Sequence, residues 1–169
     1  MLADNTLIND IKAIIAGARE QAVRAVNHER TLMYWHIGQR IFEEEQRGQE
    51  RADYGTYLVQ MIAERLQPEF GSGFSKRQIS YCRQLYRTFP IVHALRAQLS
   101  WTQYKMLLSI DNEDKREFYI AESVKNNWSS RQLERQINSQ LYERLLLSND
   151  KESVLAVARN ERQPVSPKE

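Results

Sequence analysis

From residue 6 to residue 48 the apolar side chains recur at alternating steps of three and four, a period that only a helix can place on one face. Ile8, Ile11, Ile15, Ala18, Ala22 and Ala25 trace the seam of a helix packing along another helix. Leu32, Met33, Tyr34, Trp35, Ile37, Ile41 and Phe42 carry the pattern onward. Asn27 either ends one helix and begins the next or lies inside a single long one. A homodimer and an intramolecular helix pair explain the seam equally well. The run Glu43-Glu44-Glu45 followed by "QRGQERADYG" reads as an exit into a loop, with Gly48 near the helix C-terminus. Six Gly and four Pro among 169 residues are few, and they argue for long helices rather than many turns.

The rest of the chain keeps the same texture, so the fold class is all-α. A shorter helix is expected at about 56–66, with Tyr57, Leu58, Met61, Ile62 and Leu66 on one side, closed by Pro68 and the glycine-rich "EFGSG". Next comes "FSKRQISYCRQLYRTFP", residues 74–90, and three further helices are expected at about 101–110, 113–126 and 130–147. A Ser-x-x-Gln box flanked by apolar residues occurs at Ser75–Gln78, Ser100–Gln103 and Ser129–Gln132, and each marks a helix start. Residues 1–150 read as one helical domain. Residues 151–169 read as a short helical pattern running into a disordered Pro-, Ser- and charge-rich stub.

Composition excludes several classes. Residues 1–15 lack a basic start followed by an apolar run, so no signal peptide is visible. No apolar run approaches the roughly 20 residues of a membrane span. The single cysteine, Cys82, rules out an intrachain disulfide and fits a reducing cytoplasm. Cys82, His28, His36 and His93 have no metal-ligand spacing, and no phosphate loop or paired carboxylates with metal spacing occur, so neither a cofactor nor a catalytic site is expected.

Charge is where function shows. The net charge of +2 is unevenly spread: residues 1–69 carry 8 basic and 11 acidic groups, and residues 111–169 carry 10 and 11. Residues 70–110 hold Lys76, Arg77, Arg83, Arg87, Arg96 and Lys105 against no acid. On a helical projection Lys76, Ser80, Arg83 and Arg87 fall within about 60° of one another, and Arg77 and Gln84 widen the face to about 120°. Ile79, Cys82, Leu85, Tyr86 and Phe89 lie opposite. An ordinary solvated helix mixes signs, because oppositely charged neighbours one turn apart support it. A one-signed face is easier to understand against an anionic partner. The order helix, turn, amphipathic helix suggests a helix-turn-helix-like unit. Its second helix would enter the major groove of DNA with Lys76, Arg77, Ser80 and Gln84 nearest the bases, and Arg83, Arg87 and Lys105 on phosphates. The wide major groove of B-form DNA suits such a helix better than the narrow groove of duplex RNA. A rival reading is a protein-interaction or oligomerisation module whose basic face is incidental.

Several blocks carry a family likeness. "YWHIGQRI" (34–41), "YG" (54–55), "GFSKRQISYCRQLYRTFP" (73–90), "LSWTQYKMLLSI" (99–110) and "REFYIAESVKNNWSSRQLERQI" (116–137) together resemble the N-terminal domain of YhcG-like proteins, over about residues 7–148. The resemblance implies an all-helical domain that binds DNA ahead of a C-terminal nuclease of the PD-(D/E)xK type. Nothing in these 169 residues supplies that nuclease's carboxylates and lysine, so its activity is not carried over.

Overall fold

The computed structural model describes residues 2–48 and 53–160, and among them every regular element is a helix. α1 spans Leu2–Arg47, α2 Tyr54–Phe70, α3 Lys76–Thr88, α4 Trp101–Leu108, α5 Glu113–Asn126, α6 Ser130–Asn138, α7 Leu141–Leu147 and α8 Lys151–Asn160. The all-α expectation holds. The chain divides into two compact units, Met1–Trp101 and Thr102–Glu169. The stub expected to be disordered lies at 161–169, outside the described residues.

Three boundaries differ from the sequence reading, and one that it left open is decided by the structure. Asn27 sits inside α1, where the Thr31 hydroxyl donates to its carbonyl oxygen at 3.1 Å; Asn is only mildly unfavourable in a helix surrounded by good formers. The acidic run 43–45 is the last helical stretch of α1 rather than the start of a loop. Pro68 lies within α2, which continues to Phe70; so close to the end, its missing N–H removes one bond, and the Gly71 N–H donates to the Gln67 carbonyl to finish the helix. The stretch 130–147 is two helices, because Gln140 takes a left-handed conformation (φ 58°).

In the first unit, the C-terminal half of α1 packs on α3 and α2. Ile41, Val59, Ala63 and Ile79 form the buried centre, with Ile37, Ile62 and Phe74 against it. Gly38 makes the close approach: a β-carbon there would collide with the Cys82 carbonyl of α3. Two neighbouring aromatics of α1 then pin both ends of α3. The Tyr34 hydroxyl donates to the Gly73 carbonyl just before the helix at 3.2 Å, and the Trp35 indole donates to the Phe89 carbonyl just after it at 2.6 Å.

The second unit is built on Tyr104, Leu107, Tyr119, Leu133 and Leu141, all essentially fully buried. The Tyr119 hydroxyl donates to the Gln136 carbonyl and accepts from the Tyr142 N–H, both at 3.2 Å, so it secures the break between α6 and α7. α8 is tied in by Arg159, which grips Glu122 of α5 through two hydrogen bonds of 2.7 and 3.1 Å. Burial works to raise the Glu122 carboxyl, but hydrogen bonds from Arg159 and Asn126 outweigh it and hold it below the usual glutamate range.

Candidate nucleic-acid interface

α3 presents the predicted two faces. Ile79, Cys82 and Leu85 are fully buried and Phe89 nearly so, while Lys76, Arg77, Ser80, Gln84 and Arg87 are exposed. Burial pushes the Cys82 thiol up to about 12. The helix starts at Ser75, whose hydroxyl accepts from the Gln78 N–H at 3.3 Å. The box is half closed there, because the Gln78 side chain accepts from the Trp101 indole at 3.1 Å instead of reaching back. Ser129–Gln132 forms the full reciprocal box, and the Gln103 amide of the third copy donates to the Trp128 carbonyl at 2.7 Å.

The cations are not equivalent. Arg77 donates to the Tyr81 hydroxyl at 3.3 Å and holds its guanidinium 5.7 Å from the ring centre, a neutral partner that leaves its charge in place. Arg83 and Arg87 both meet Glu45, near the end of α1. Arg83 grips the carboxylate with two nitrogens, one of them 3.0 Å from Oε2, and Arg87 adds a 2.9 Å bond to the same oxygen. The Glu45 side chain is only 11% exposed, Arg83 27% and Arg87 49%. Hydrogen bonding from Arg83 holds the Glu45 carboxyl below the usual glutamate range, against the opposing pull of burial. Gly55 of α2 closes over this group, since a β-carbon there would collide with both the Arg83 guanidinium and the Glu45 carboxylate. Lys105 lies in the second unit, half-buried on α4.

Glu45 is what the sequence reading missed. α3 carries no acid, but α1 supplies one from 38 residues upstream. A signal was present: Thr31, Gly38 and Glu45 are spaced by seven, so the face that α1 lays on α3 extends to Glu45. The result is graded charge along α3. Its C-terminal half carries two arginines sharing one carboxylate. Its N-terminal turn carries Lys76 and Arg77 with no acid, whereas α5 opens on Glu113 and Asp114 as a helix dipole prefers. Among the described residues no group that could hold a metal ion occurs. No helix there is long and apolar enough to cross a membrane.

The family model of the DUF1016 N-terminal domain matches residues 10–144, and the chain belongs to that family. It is similar to a protein of Escherichia coli (strain K12) named "Putative nuclease YhcG", at 34% identity over 174 residues, covering 84% of this chain and 46% of the relative. The chain thus spans about half the length of the curated relative it matches. No solved structure matches.

Proposed function

We propose that this chain is a DNA-docking module that places a nuclease on its substrate. The α3 face meets the duplex, and the chain beyond residue 150 leads toward a nuclease domain of the kind the relative's name describes. The observation that carries the reading is the first turn of α3, where Lys76 and Arg77 stand exposed at the positive pole of a capped helix. Like charges there cost a little against the dipole, and a phosphate between them relieves that cost. Lys76, Arg77, Ser80 and Gln84 are the candidates for base edges. Arg83, Arg87 and Lys105 are the candidates for phosphates, the two arginines only to the extent that DNA draws them from Glu45. Such a role belongs in the cytoplasm, with the DNA.

The experiment is duplex-DNA binding by the Lys76→Glu/Arg77→Glu variant, with far-UV circular dichroism alongside. Binding should fall at least tenfold while helix content stays unchanged. Undiminished binding by a folded variant would remove α3 from the interface.

A second reading, a protein-assembly module, is favoured by a separate observation: Leu7, Ile8, Ile11, Ile14 and Ile15 are all exposed on α1. On that reading the same variant leaves every interaction of the chain intact.

A further inference from the structure

The N-terminal half of α1 presents its apolar seam to solvent. Leu7 is 57% exposed, Ile14 70% and Ile15 47%, and Ala18, Ala22 and Ala25 continue the exposed line. α1 packs its own unit mainly through a different side, and the seam meets that unit at Ala25, which shares a groove with His28, Ala97 and Gln98. The residues that α1 buries in this unit, Thr31, Tyr34, Trp35, Gly38 and Ile41, centre about 155° around the helix from Ile8, Ile11, Ile15 and Ala18. The seam is therefore turned away from the packed half of α1, and straightening or bending the helix modestly does not bring it home. A lone helical stretch of this length is marginal in water without a partner for its apolar side.

We infer that residues 7–26 pair with the same segment of a second copy, antiparallel, about a two-fold axis between Ile15 and Ala18. The seam is large at one end and small at the other: Ile8, Ile11, Ile15, then Ala18, Ala22, Ala25. Antiparallel pairing sets Ile8 over Ala25, Ile11 over Ala22 and Ile15 over Ala18, and the two-fold repeats each pair in reverse. Every layer then holds one large and one small side chain, as close packing requires. Parallel pairing would crowd isoleucine on isoleucine at one end and leave alanine facing alanine at the other. The self-match is what an isologous dimer interface needs, and an unrelated partner would have no reason to produce it. The exposed apolar surface is on the order of 500 Å² per copy, so a pair reaches about 1,000 Å², where specific interfaces begin. Lys12 of one copy comes near Arg19 of the other at the flank, and both are exposed and long enough to turn into water. Added salt therefore strengthens this contact, the opposite of its effect on a phosphate contact.

Sedimentation of the nucleic-acid-free full chain tests the inference. The expected mass is twice 20.0 kDa, held or strengthened as salt rises, and a single 20.0 kDa for Ile11→Asp/Ile15→Asp with unchanged helix content. A wild-type chain that stays monomeric at about 100 μM would overturn it, as would a variant that remains a dimer. Cysteine exchange reads the orientation even if the aspartate variant misfolds. Mixed Ile8→Cys and Ala25→Cys chains should cross-link to each other, with Cys82 buried out of reach. Self-cross-linking of Ile8→Cys alone would mean parallel helices, contrary to the inference.

Discussion

Glu45 sets how much of the cationic charge on α3 is available to a partner. Its carboxylate shares two arginines, Arg83 and Arg87, inside a pocket closed by Gly55. Replacing it by Gln should act in two directions at once. Stability should drop by about 1–2 kcal/mol, because the half-buried Arg83 loses its charged acceptor. DNA binding should rise, with a salt dependence steeper by about one counterion, because Arg83 and Arg87 are released to phosphates. The pH dependence has a definite sign. The folded-state carboxyl titrates below its ordinary value, so the unfolded chain binds the proton more readily. The contribution is fully present above the unfolded value and is lost as pH falls through the folded one. Thermal melts between neutral and acid pH should therefore show a shallower acid decline for Glu45→Gln than for the wild type. Cys82 offers a second check at this scale. With its thiol buried and pushed up to about 12, it should react with a thiol reagent only as fast as the protein opens.

At the level of elements, α3 is held mainly by α1, with α2 packing against it through Val59 and Ala63. Gly38→Ala would force a β-carbon into the Cys82 carbonyl and should cost about 2–3 kcal/mol, read as a lower denaturation midpoint. Ser129→Ala removes the closed cap of α6 and should cost about 1 kcal/mol, a fall of about 2–4 °C in Tm. The same elements show what was legible in the sequence. The two faces of α3 and its start at Ser75 followed from local period and capping chemistry, which involve only residues a few positions apart. The pairing of Arg83 with Glu45 did not, because no local rule reports a partner across a fold. Nor did the uses of Gln78, whose side chain accepts from Trp101 rather than closing its box, and of Gln103, whose amide reaches the Trp128 carbonyl. The break at Gln140 was hidden for a related reason. Ser139 and Gln140 are not strong breakers, and the turn is stabilised by the Tyr119 hydroxyl on another helix.

At the scale of the whole molecule, the two proposed partners take separate surfaces: DNA the α3 face and a second copy the seam of α1. Salt distinguishes them. Raising it should release DNA while holding or strengthening self-association, so on one preparation binding titrations should weaken where sedimentation does not. The most direct test of the central claim is the salt dependence of duplex-DNA binding, followed by fluorescence anisotropy for the wild type and Lys76→Glu/Arg77→Glu. Lys76, Arg77 and the single net charge left by Arg83, Arg87 and Glu45 bring about three net positive charges to the duplex on the α3 face alone, and release of about three counterions predicts a log–log slope of roughly −3 for the wild type. The variant should bind more weakly with a slope near zero. A wild type that does not bind even at low salt, or a variant with an unchanged slope, would contradict the account.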